Sequence, residues 1–388
     1  ESRWVDTKNA LLEGLQGNKK SVMAATLENT RRYLSESATA GATSAGNVAT
    51  LNRVILPVIR RVMPTVIANE LVGVQPMTGP VGQIHTLRVR YSDTQNATGS
   101  VNDTTAGEEA LSPFKIAEAY SGDGTAGKAA NTATLEAEAG NRMSIQILKQ
   151  TVEAKTRKLS ARWTFEAAQD AQSMHGIDVE AEIMAALAQE ITAEIDQEVL
   201  GSLQTLAGTG SQTYNQAAVS GTATFVGDEH AALAVQINRV SNLIAQRTRR
   251  GAGNWAVVSP FALTILQSAT TSAFARTTEG TFEAPTNTKM VGTLNNAMKV
   301  YVNTYAADTA PVLIGYKGAS ESDAAAFYCP YIPLMSSGVV LDPGTFEPTV
   351  SFMTRYGYVE LNNTASSLGN AADYLGRVEI TDGNVSFS

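Results

Sequence analysis

Residues 177–200, IDVEAEIMAALAQEITAEIDQEVL, constrain the fold more than any other stretch of the chain. Met184, Leu187, Ile191, Ile195 and Val199 recur at the period of one helix face. The spacing predicts a helix about 36 Å long. Asp178, Glu180, Glu182, Glu190, Glu194, Asp196 and Glu198 make it acidic, and the stretch contains no Lys or Arg to offset them. Such a helix needs cations from elsewhere.

The best source is KTRKLSARW at 155–163, where Lys155, Arg157, Lys158 and Arg162 gather beside Trp163. Two readings stand. The segment meets a single-stranded nucleic acid, or it meets the acidic helix at residues such as Glu190, Glu194 and Glu198, within one chain or between chains. An exposed ion pair contributes roughly 0.2–1 kcal/mol. Repeated around a ring, such pairs set register.

A second feature is the string SGDGTAGKAAN, 121–131. Gly122, Gly124 and Gly127 form G-x-G-x-x-G, and Gly122, Gly127 and Lys128 form most of a phosphate loop. A dinucleotide site needs a strand before the glycines and a helix after them. KIAEAY before and KAANTATLEAEAGN after supply neither clearly. A phosphate loop needs Ser or Thr after the lysine to hold magnesium, and position 129 is Ala. The string reads as a flexible turn region, and no cofactor is expected.

His85, His175 and His230 are scattered without ligand spacing, so no metal centre is expected. HGIDVEAE at 175–182 reads as the first turns of the acidic helix, its acids stabilising the positive end. No G-x-S-x-G elbow occurs. Cys329, the single cysteine, lies in an apolar strand, reads as a buried thiol and excludes an internal disulfide. The residues therefore nominate no catalytic, cofactor or metal site.

Around these features the chain alternates helices and strands. Helices are expected at 7–16, 20–35, 53–68, 229–250 and 260–268. Asp228 caps 229–250 and Gly251 stops it. The 53–68 stretch suits a membrane surface or core packing, and its two prolines and few lysines favour the core. GQIHTLRVRY (82–91) alternates like a strand, residues 92–140 are polar and glycine-rich, and pattern returns at 143–165. This is a long hairpin arm. NWAVVS (254–259) is a buried strand, and short strands dominate from 298 onward. The class is α+β.

Composition adds limits. The net charge of −8 argues against a general nucleic-acid binder. Charged residues are 17%, against about 25% in typical domains, which suits a surface covered by copies of itself. No apolar run of transmembrane length and no signal peptide are visible. The chain begins at Glu1 rather than Met, which implies that something upstream was removed or left out.

Several stretches together resemble the major capsid proteins of tailed bacteriophages of the T-even myovirus type. They are RRVMPTVIANELVGVQPMTGPVGQ (60–83), VEAKTRKLSARWTFEAAQDAQSMHGIDVEAE (152–182), LAQEITAEIDQEV (187–199), QRTRRGAGNW (246–255), VYVNTYA (300–306), GYKGASESDAAAFYCPYIPL (315–334) and DPGTFEPTVSFMTRYG (342–357). The resemblance implies the Hong Kong-type capsid fold. Residues 1–36 would be a pro-region and 37–78 the N-arm with the start of the peripheral domain. Residues 79–165 would be the extended loop with its tip at 92–140, and 166–214 the peripheral domain with spine helix 177–200. Residues 215–335 would be the axial domain, and 336–388 the return to the peripheral domain. It also implies a homo-oligomer of hexameric and pentameric capsomers enclosing double-stranded DNA without sequence-specific contacts. Scaffold, portal and prohead protease would be partners, and assembly would occur in the host bacterial cytoplasm. LSES (34–37) is similar to the maturation site, with cutting between Glu36 and Ser37. An encapsulin-type compartment of the same fold is the alternative, and a nucleotide-dependent enzyme the remote one.

Overall fold

The computed structural model describes residues 68–96, 103–110, 120–122, 129–136, 139–208, 212–216, 226–269, 274–276, 289–295, 297–361 and 371–381. The chain divides at Val58/Ile59 into two units, and every described residue lies in the second. Glu36, Ser37, the 7–16 and 20–35 helices, 53–67 of the third, and Gly124, Gly127 and Lys128 lie outside the described residues.

The elements run α1 (Ala68–Leu71), β1 (Gly73–Val74), β2 (Val81–Tyr91), α2 (Thr132–Leu135), β3 (Met143–Glu153), β4 (Lys155–Arg162), α3 (Phe165–His175) and α4 (Val179–Leu206). They continue with β5 (Gln212–Tyr214), α5 (Val226–Thr248), β6 (Trp255–Val258), α6 (Pro260–Ser268), β7 (Phe274–Arg276), β8 (Lys289–Leu294) and β9 (Met298–Val302). The last are β10 (Val312–Gly315), β11 (Ala326–Ser336), β12 (Val340–Leu341), β13 (Pro348–Glu360), a 3₁₀ turn (Ala371–Tyr374) and β14 (Leu375–Ile380).

Seven strands form one sheet in the order β5-β14-β10-β6-β9-β8-β7. Strands β6 and β10 at its centre are apolar and buried at every position because both faces are covered. Ala256, Val258, Val300 and Ile314 point to α5 and α6, where Leu233, Ile237, Val240, Ile244 and Ile265 complete one core. Trp255, Val257, Tyr301 and Leu313 point the other way, into a core with Ile191, Ile195, Val199 and Leu203 of α4. A five-stranded sheet, β1-β11-β13-β12 with β4 also on β13, closes that second core through Tyr328 and Tyr356. The long helix is thus gripped along its second half. The seven-stranded sheet also contains Leu375–Ile380, between β5 and β10.

Helix boundaries shift for local reasons. Asp178 is the N-cap of α4 and accepts from the backbone N–H of Glu180 and Ala181 at 3.1 and 3.4 Å. His175 is not in that helix. It ends α3, and Gly176 (φ 64°) makes the left-handed reversal between the two helices. Helix α5 begins at Val226, so Asp228 lies within its first turn rather than at its cap. At the other end Arg249, not Gly251, takes the left-handed conformation (φ 52°). Gly251 serves close approach instead, since a Cβ there would lie 2.7 Å from Tyr316 Cε2. Ser259 caps α6 by accepting from Ala262 N–H at 3.2 Å, with Pro260 in the first turn.

The expected hairpin is β2 against β3, eleven antiparallel pairs from Val81↔Glu153 to Tyr91↔Met143. The 143–165 stretch is not one arm strand. It breaks at Ala154, and β4 leaves the hairpin to pair with β13. Val152 and Ile84 root the hairpin against Phe327, Cys329 and Met77. Cys329 is buried, and burial pushes its thiol up. Farther out, the 92–140 excursion has a small core that its composition hid. Tyr91, Ala110 and Tyr120 pack together, Tyr120 O–H donates to Arg142 O, and Arg88 pairs with Glu109 at 2.8 Å.

Candidate functional site

The acidic helix and the basic strand meet. Strand β4 lies beside β13 with Arg157 opposite Thr354 and Leu159 opposite Phe352. Side chains of paired residues share a face, and on this face Leu159, Phe352 and Tyr356 pack toward α4. Arg157 is thereby aimed across the helix. Its Nη1 reaches Glu194 Oε2 and its Nη2 reaches Glu198 Oε2, both at 2.6 Å. Its Nε donates to the Tyr356 hydroxyl at 2.6 Å, and that hydroxyl donates onward to Glu198. One guanidinium therefore joins the strand to two successive turns of the helix, the fork geometry that lysine cannot supply.

The electrostatics follow from the contacts. Burial works against charge on Glu198, but hydrogen bonds from Tyr356 and Arg157 outweigh it and hold the carboxyl below its ordinary value. Burial also opposes charge on Arg157, and Glu198 and Tyr356 raise it instead. The Tyr356 phenol is pushed up to about 12 by burial and then by Glu198.

The other nominated residues behave differently. Arg162 lies 3.6 Å from Glu347, not against the helix. Lys155 acts on Glu198 only through its field. Lys158 and Glu190 are exposed. Tyr356, which completes the cluster, was not found by sequence reasoning. Its partner Arg157 is 199 positions away, and a tyrosine in an alternating strand carries no signal beyond burial.

Arg157→Ala is expected to lower subunit stability by about 1–2 kcal/mol, the low end for a charged network because both carboxylates are partly exposed. Urea unfolding of the full chain at pH 7 measures it. Glu198 has a depressed folded value, so its contribution is present above its unfolded value of 4.5 and is lost as pH falls through the folded one. The gap between wild type and variant should therefore narrow below pH 4.5.

Nothing in this cluster resembles a reaction centre, and among the described residues no group of three or more His, Cys, Asp or Glu side chains could hold a metal. The glycine string is followed by a helix of four residues, too short for a dinucleotide fingerprint. Among the described residues no helix is long and apolar enough to cross a membrane.

Among the described residues, then, the hairpin is rooted at its base, the long helix is clamped by Arg157 and the seven-stranded sheet is covered on both faces. Residues 48–380 match the family described as Major capsid protein Gp23, and the chain belongs to that family. The Major capsid protein of Vibrio phage KVP40 is 29% identical over 417 residues, spanning 85% of this chain and 80% of that protein. That of Enterobacteria phage T4 is 29% identical over 432 residues, spanning 87% and 80%. Among solved structures, the capsid of Myoviridae phage XM1 is similar over 87% of this chain and 99% of that one, with 11% identity and a TM-score of 0.49. The function is the family's, to form the capsid of a tailed-phage head, and the place is the virion. Family membership and the element order, hairpin then long helix then two sheets, agree with the Hong Kong-type fold implied by the sequence resemblance. The encapsulin and nucleotide-enzyme alternatives gain nothing from these matches.

Proposed function

We propose that copies of this chain join head to tail into capsomer rings, and that the β2–β3 hairpin of each lies across its neighbour. The rings tile an icosahedral shell around double-stranded DNA, with the scaffold, portal and protease of the family as assembly partners. The acidic balance suits a container that does not grip its genome, and the reading assigns the chain no catalysis.

The supporting observation is the outer half of the hairpin. Leu87, Ile145, Ile147 and Met143 share one face through the register Leu87↔Ile147, Val89↔Ile145 and Tyr91↔Met143. They are 67%, 68%, 66% and 53% exposed. A two-stranded ribbon is marginal in water, and a contiguous apolar patch marks a docking surface. Copies closing around an axis supply the cover.

Ile147→Asp places a charge in that face and should leave the isolated subunit as stable as wild type. Sedimentation of the purified full chain should then show monomers where wild type forms rings or shells. Normal assembly of the variant would sink this reading.

A further inference from the structure

A second open surface lies on the five-stranded sheet, on the side away from α4. Because Arg157 and Leu159 point to the helix, Lys158, Ser160 and Arg162 of β4 point outward. Register carries the same face across the sheet, with Lys158 opposite Met353, Met353 opposite Met335, and Thr349 opposite both Arg162 and Val340. Lys158 is exposed and Arg162 71% so, even with Glu347 at 3.6 Å. Met335 and Val340 are 46% and 55% exposed. The face is thus a basic row beside an apolar row, open to solvent.

Helix α3 is its complement. It has no buried residue in eleven, and an isolated helix shorter than about 12–15 residues is marginal in water. Glu166, Asp170 and Met174 stand at i, i+4 and i+8, one stripe of the helix. All three are exposed, Met174 by 79%. The stripe is acidic at its start and apolar at its end, with no Lys or Arg anywhere in α3.

We infer that α3 of one copy packs on the outer face of the five-stranded sheet of a second copy, carboxylates on Lys158 and Arg162 and Met174 on Met335 and Met353. Two unlike surfaces on one chain make a heterologous contact, the kind that closes rings. Charge complementarity selects a copy of this chain as the occupant, since each copy carries one half of the match. The inference rests on the self-assembly proposed above but concerns a surface separate from the hairpin.

The test is a charge exchange in the full chain, read by sedimentation velocity. Glu166→Lys with Asp170→Lys, or Lys158→Glu with Arg162→Glu, should each weaken self-association at least about tenfold through like-charge contact. All four changes together should recover most of the loss, because every contact then pairs opposite charges again. Met174→Cys with Met335→Cys should give disulfide-linked multimers under mild oxidation. Unchanged association in either charge pair, an exchange no better than the pairs alone, or a link formed only within monomers each overturns the inference. A foreign protein on this face would show as the first outcome. If wild type itself remains monomeric, self-assembly fails instead. If Ile147→Asp blocks assembly while the charge pairs do not, only the α3 contact fails.

Discussion

Leu203→Ala is expected to lower the unfolding free energy of the subunit by about 2–5 kcal/mol, in the upper part of that range. Leu203 is fully buried, on the last turns of α4, in the core shared by both sheets. A cavity costs most where its walls cannot collapse. Here the walls are a sheet on each side, and Arg377 Nη1 donating to Gln204 O at 3.4 Å ties the next residue to β14. The same substitution should cost progressively less toward the start of the helix. Met184 is only half-buried and Leu187 8% exposed. Met184→Ala should therefore cost about 1 kcal/mol or less, consistent with the area it hides. Urea unfolding of the full-length variants, read as midpoint shifts at constant slope, gives the series. Equal costs along the helix would show that its first half is covered as well as its second, contrary to the exposed flank that α3 and α4 share.

That gradient marks what the sequence could and could not show. The apolar stripe of α4 was legible because it is local, and Leu187, Ile191, Ile195 and Val199 are buried as their spacing requires. The end of the helix was not. The helix was expected over 177–200, yet it runs through Gly201 to Leu206. A glycine inside a helix costs about 1 kcal/mol, and burying Leu203 outweighs it. The charge mismatch pointed to four cations; Lys158 and Arg162 lie on the outer face of β4, and of the two on the inner face Arg157 bonds the helix while Lys155 acts on Glu198 through its field. Strand parity follows from pairing with β13, nearly two hundred positions away in sequence, and nothing within nine residues reveals it. Helix α3 was missed because it has no apolar face on its own core to impose a period. An element with no face buried in its own core carries a weaker period than one packed at home.

Gly315→Ala is expected to cost about 3 kcal/mol, the upper end for overpacking by one methyl group. Gly315 sits at the end of β10, directly opposite Trp255 on one side and Leu375 on the other. A Cβ there would run into the Trp255 indole, closest to Cζ2 and 2.5 Å from Cε2. Trp255 is 2% exposed in the core with α4, so the ring has no free space to rotate into. Backbone movement would have to break the ladder on both sides of β10. The effect should thus be a coupling between two residues rather than a property of the glycine alone. Trp255→Phe removes the atoms that collide and leaves a smaller core defect of its own. The double variant should then be more stable than the sum of the two single losses, with a coupling of about 1–2 kcal/mol for residues in contact. The near-ultraviolet circular dichroism of Gly315→Ala should change with the displaced indole. Strict additivity of the two substitutions would mean that the sheet relaxes around the new methyl without touching Trp255, and the close-approach account of this glycine would be wrong.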